Sequence, residues 1–176
     1  HFTPATAERE IVIAMAEQFH KLSQPLLAER GGAPPLTAHE LLTLASIIEK
    51  ETGVDAERPL VSAVFHNRLK RQMPLQSDPT VIYGIKDFNG NLTKKDLQEA
   101  TPYNTYRIAA LPPGPICNPG VASIKAALHP ADVPFLYFVS KNDGTHQFSR
   151  TVAEHEAAVT RFQRGGRASD ESVATP

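Results

Sequence analysis

Between Thr37 and Gly53 the chain reads TAHELLTLASIIEKETG, a helix with both ends written into its sequence. Thr37 and Glu40 form a capping box: the threonine hydroxyl accepts from the amide three residues on, and the glutamate carboxylate reaches back. Gly53 supplies the stop. On a wheel of about 100° per residue, Leu41, Leu44, Ala45 and Ile48 make one apolar face and Lys50 points roughly opposite. Such a helix is built for burial, so the rest of the chain has to cover it. Glu49 and Glu51 then fall on the two flanks of the stripe, each about 70–90° from its centre.

The segments on either side supply that cover. Residues 5–30 read as a helix, with Ile11, Ala14, Met15, Gln18, Phe19 and Leu22 at helical spacing and GGAPP at 31–35 as the break. Asp55 is expected to cap a third helix that turns Val61, Val64, Phe65 and Leu69 inward and ends on the basic run Arg68-Leu69-Lys70-Arg71. Short helices are expected in DPTVIYGI, with Pro79 at the first position, in LTKKDLQEA, capped by Thr93, and in GVASIKAALHP, stopped by Pro130. FLYFVS and THQFSR flank KNDG and read as a hairpin. A last amphipathic helix runs from Thr151 to Gln163, with Val152, His155, Val159 and Phe162 on one side. The fold class is α+β: helix-rich, with a small antiparallel sheet or hairpin.

Several function classes drop out. Lys and Arg total 18 against 19 Asp and Glu, so the basic excess of a nucleic-acid binder is missing. No run of about 18 apolar residues is present to span a membrane. The single cysteine, Cys117, rules out an internal disulfide, and no base is placed beside it to make it a nucleophile. His155-Glu156 begins like a zincin helix, but Val159 holds the place of the second histidine. With no glycine-rich phosphate loop and no serine elbow, neither metal nor cofactor is expected.

What remains is carboxylate chemistry. A flank glutamate usually reaches water or a cation. Set against apolar side chains it instead loses hydration of its charged form, its pKa rises, and it can protonate a leaving oxygen. Periodicity does not choose between Glu49 and Glu51. Gln76 and Asp78 are able to hydrogen-bond a sugar or an amide, and Tyr83 offers a stacking face, although Ser77 or Asp78 before Pro79 is equally a plain helix cap. The loop YNTYRIAALPPGPICNPG presents Tyr103, Asn104, Tyr106 and Asn118 among prolines that limit its freedom, as a carbohydrate-binding wall or as an ordinary packed turn. His146 reads as a strand histidine with a solvent or backbone partner.

The blocks LASIIEKET, VFHNRLKRQMPLQSDPTVIYGI, YNTYRIAALPPGPICNPG, SIKAALHP, LYFVS and HQFSRTVAEH occur in that order, and together the stretch from Leu41 to Phe162 resembles the YceG-like family of endolytic murein transglycosylases. Cys117 departs from the small or apolar residue expected at its place. The resemblance implies lytic cleavage of the β-1,4 bond between N-acetylmuramic acid and N-acetylglucosamine inside peptidoglycan glycan strands. Glu49 is then the acid and base, Glu51 a supporting group, and Gln76, Asp78, Tyr83, Tyr103, Asn104, Tyr106 and Asn118 surround the substrate. A hydrolytic muramidase and a non-catalytic peptidoglycan-binding or scaffold module are the alternatives. The resemblance further implies a joining segment at 1–36 and a catalytic domain at 37–164, while the polar run RGGRASDESVATP at the end reads as a disordered tail at 165–176. It places the protein at the extracytoplasmic, periplasmic face of the bacterial inner membrane, held by an anchor ahead of these residues. Glycan strands are the expected partner, with peptidoglycan synthases by family analogy and no nucleic acid.

Overall fold

The computed structural model describes residue 3, residues 6–28 and residues 36–164. The elements in chain order are α1 (Glu8–Ala28), α2 (Ala38–Glu51), α3 (Arg58–Lys70), α4 (Asp78–Gly84), α5 (Lys94–Gln98), α6 (Val121–Leu128), β1 (Tyr137–Ser140), β2 (His146–Ser149) and α7 (Val152–Val159), which runs on into a π-helical turn at Thr160–Arg164. This is the expected α+β arrangement. The GGAPP break and the polar tail lie outside the described residues.

The capping box forms as read: Thr37 Oγ1 accepts from the Glu40 amide at 3.2 Å, and Glu40 Oε2 takes the Thr37 amide at 2.7 Å. From there α2 runs through the centre of the molecule. Leu44, Ala45, Ile47 and Ile48 are wholly buried, and Thr43 and Ser46, on the side that the wheel left unassigned, are buried as well. Their hydroxyls are satisfied within the helix, Thr43 Oγ1 on the His39 carbonyl at 2.8 Å and Ser46 Oγ on the Thr43 carbonyl at 2.7 Å. Ser46 Oγ also takes the Ile116 amide at 3.0 Å, which pins the proline-rich loop to the helix.

Helix α6 covers α2 most extensively and packs on α1 and α3 too. Ile124, Ala127 and Leu128 of α6 join Val61 and Phe65 of α3 and Leu75 in one core with α2. Burying side chains of this size stabilises by about 1.5–3 kcal/mol each. Helix α1 contributes Ser23 and Leu26 as buried residues, but Met15 and Leu22 of the expected stripe remain exposed. They line a groove beside α6 rather than a core.

Two expected details are corrected. Helix α3 begins at Arg58 with Glu57 as its N-cap residue, and no side chain caps it. The Asp55 carboxylate pairs with the Arg58 guanidinium instead. In α7, Val152 is 51% exposed, as the first residue after the Thr151 N-cap, whose capping box with Glu154 starts the helix. The hairpin forms as expected, pairing Tyr137 with Ser149 and Ser140 with His146. Asn142 and Gly144 take the positive φ angles of its turn, 65° and 87°.

Candidate active site

Two residues apart on a helix is about 200° of rotation, so Glu49 and Glu51 leave α2 on opposite sides. Each meets the start of another helix. Glu49 reaches α6, whose N-cap residue, Gly120, has no side chain to cap with. Its Oε2 accepts from the Gly120 amide at 3.1 Å and from Ser123 Oγ at 2.6 Å. A carboxylate from α2 thus caps α6 from outside, where the helix dipole favours negative charge. Arg58 Nε donates to Ser123 Oγ at 3.2 Å and holds the other side of that hydroxyl.

Glu51 turns toward α4. Ser77, the N-cap residue of α4, makes no side-chain cap bond to its own helix. Its hydroxyl donates to Glu51 Oε1. Burial is the largest influence on Glu51: it raises the pKa, the Ser77 hydrogen bond opposes it, the nearby Asp78 charge raises it further, and the result is about 7. Such a carboxyl holds a proton near neutral pH and can also release it.

Glu51 faces a cleft of about 440 Å³. Gln76, Asp78 and Tyr106 line it on the same side, and Phe138, Ser140, His146 and His155 contribute from the hairpin and α7. Tyr106 donates to Asp78 Oδ1 at 2.6 Å. Burial and that bond push the Tyr106 phenol above its ordinary range, so it stays a donor. Arg68 anchors the assembly from beneath. Its Nε donates to the Leu136 carbonyl at 2.7 Å, and Nη1 reaches the Pro74 and Leu75 carbonyls and Gln76 Oε1 at 2.9–3.0 Å. Gln76 sits at φ 54°, a left-handed conformation costing about 1 kcal/mol for such a residue. The Thr105 carbonyl, 3.0 Å from the Gln76 amide, helps hold it there.

The model of the YceG-like family matches residues 1–161. The chain belongs to the YceG-like family. It is 40% identical over 159 residues to an endolytic murein transglycosylase of Bacillus subtilis (strain 168), covering 90% of this chain and 44% of that protein. An endolytic murein transglycosylase of Streptococcus pneumoniae serotype 2 is 34% identical over 130 residues, covering 70% of this chain and 24% of that protein. The crystal structure of a YceG-like protein from Listeria monocytogenes superposes with a TM-score of 0.72 at 38% identity, covering 89% of this chain and 50% of that one. The chain therefore spans less than half the length of the curated relatives it matches.

In this YceG-like chain the residues expected around the substrate separate into groups. Gln76, Asp78 and Tyr106 share the Glu51 cleft. Asn118 lies on the other side of α2, in the groove that also borders Glu49. Tyr83 and Tyr103 pack on each other with ring centroids 4.9 Å apart. Asn104 is wholly buried, and its amide nitrogen donates to the carbonyls of Asp96, Leu97 and Glu99 at 2.6–3.2 Å. It ties the end of α5 to the loop and does not line either opening. Arg68, Ser77 and His155 were not expected at the site. Arg68 read as the basic end of a helix and His155 as a packing residue. His146, expected to find solvent or backbone, is paired with Glu57. Among the described residues no three His, Cys, Asp or Glu side chains converge as a metal-ligand set, and no helix is long and apolar enough to cross a membrane.

Proposed function

We propose that this domain cleaves peptidoglycan glycan strands as a lytic transglycosylase, with Glu51 as the proton donor. The observation that carries the assignment is the Glu51 carboxyl, desolvated and raised to about 7 at the edge of an open polar cleft. Glu49, the acid expected from the family blocks, has its outer oxygen engaged by the Gly120 amide and the Ser123 hydroxyl. That position suits a structural cap. The names of the relatives support the reaction class and glycan strands as substrate. The place of action is then the extracytoplasmic side of the inner membrane, where those strands lie and where synthases would be met.

The chemistry follows from one carboxyl used twice. Protonated Glu51 delivers its proton to the glycosidic oxygen as the C1–O4 bond breaks. The carboxylate then takes the proton of the muramyl 6-hydroxyl, whose oxygen closes on C1. A 1,6-anhydro end results and no water is consumed. Asp78, in the same cleft, would favour hydrolysis if it activated a water instead, but its Oδ1 is engaged by Tyr106. Mass analysis of strands digested by the protein tests the reading. Anhydro ends, one water lighter than reducing ends, are expected from the wild type and none from Glu51→Gln. Reducing ends alone, or undiminished turnover by Glu51→Gln with loss in Glu49→Gln, would overturn it.

A further inference from the structure

His146 and Glu57 form a second polar device at the same cleft. They are 89 positions apart in sequence, yet both Glu57 oxygens are turned onto His146. Oε1 accepts the His146 amide at 2.9 Å and Oε2 meets Nδ1 at 2.7 Å. The side chains are only 13% and 12% exposed. Burial alone would raise the Glu57 pKa, but the hydrogen bonds from His146 hold it below the ordinary carboxylate range, so it is ionised and can only accept. Nδ1 must therefore carry the proton, and in the neutral ring Nε2 is left with a free lone pair. Among the described residues Nε2 has no hydrogen-bond partner, and His146 borders the Glu51 cleft. Phe138 stands edge-on to the ring at 5.4 Å and Phe148 lies 6.3 Å away, so the orientation is braced from two sides.

A carboxylate that fixes a tautomer and an aromatic brace that fixes a ring prepare a hydrogen-bond acceptor before any ligand arrives. No donor among the described residues uses that acceptor. We propose that His146, through Nε2, accepts a hydrogen bond from a sugar hydroxyl or acetamido N–H beside the scissile bond, with Glu57 as its positioning residue. The inference rests on the glycan-cleaving reading of the Glu51 cleft. The other titratable groups bordering the cleft are Arg68, Asp78, Tyr106 and His155. Of these, His155 is itself held toward the neutral form, by burial and then by the Arg68 charge.

Two measurements test it. The first is kcat/KM on purified glycan strands. His146→Ala should fall by about 10²-fold while still giving anhydro ends. His146→Gln, which still offers an acceptor oxygen, is expected to recover most of that loss. The second is 15N NMR of the His146 ring in the Glu51→Gln protein, which requires no change at His146. The Nδ1–H tautomer is expected, with the Nε2 resonance moving when a muramyl-containing tetrasaccharide is added, and Glu57→Ala should abolish the tautomer preference. Undiminished kcat/KM in His146→Ala, or an Nε2 signal indifferent to the tetrasaccharide, would overturn the inference. Absence of anhydro ends from the wild type would instead overturn the reaction on which it rests.

Discussion

Glu49 and Glu51, two residues apart on α2, serve the starts of two different helices: Glu49 takes the Gly120 amide at the head of α6, and Glu51 takes the Ser77 hydroxyl at the head of α4. One carboxylate fills a gap left by a residue without a side chain. The other accepts from a serine hydroxyl that makes no cap bond to its own helix. Opposite roles therefore follow from what waits on each flank of one helix.

Glu49→Ala removes the external cap of α6. It should lower stability by about 1–2 kcal/mol, in the range of lost N-caps. Turnover of the folded fraction should stay within a few-fold of wild type. Chemical denaturation and initial rates measured on the same preparation check both halves.

The raised pKa of Glu51 has a stability consequence with a definite sign. Its folded value, about 7, lies above the ordinary 4.5, so between those values the folded state binds the proton more tightly. Its contribution is fully present below about pH 4.5 and is lost as pH rises through about 7. Glu51→Gln, which cannot ionise, should therefore stabilise the protein at pH 8, by on the order of 1–3 kcal/mol, and do so much less at pH 4.5. Thermal unfolding of both proteins across that range is the check, and an equal effect at both ends would contradict the burial described for this carboxyl.

Arg68→Lys tests whether geometry or charge holds the cleft wall. The guanidinium spans β1's approach at Leu136 and the 74–76 loop at once, and an ammonium cannot reach both. The expected loss is roughly 2–4 kcal/mol, because buried carbonyls go unpaired. The loop amides should also gain hydrogen exchange, measurable at Leu75 and Gln76.

Asn104→Ala separates packing from recognition. Three backbone carbonyls lose their donor, so about 2–4 kcal/mol of stability should go. KM for glycan strands, measured below the melting range, should be unchanged.

Elements with local causes were legible in the sequence. The capping box at Thr37 and the hairpin turn depend on neighbours a few residues away, and both formed as read. The wheel correctly set Glu49 and Glu51 on opposite flanks. It carried no information on which helix start would stand beside each, since Gly120 and Ser77 arrive from 71 and 26 positions away. The same limit hid Arg68, whose Leu136 partner lies 68 residues downstream, and the pairing of Glu57 with His146. Asp55 looked like a cap because it is a good one by type. The nearby Arg58 guanidinium competed for its carboxylate and won. Asn104 was read as a wall residue from its loop, but its amide is taken up by the Asp96, Leu97 and Glu99 carbonyls at the end of α5, 5 to 8 positions earlier.

The missing cap of α4 has a consequence of its own. Ser77 directs its hydroxyl hydrogen to Glu51 and makes no cap bond to α4, and α4 carries Asp78, which lines the same cleft. An ionised carboxylate is a stronger acceptor than a protonated carboxyl, so this bond should tighten as pH rises through about 7. The start of α4 is thereby coupled to the protonation state of Glu51.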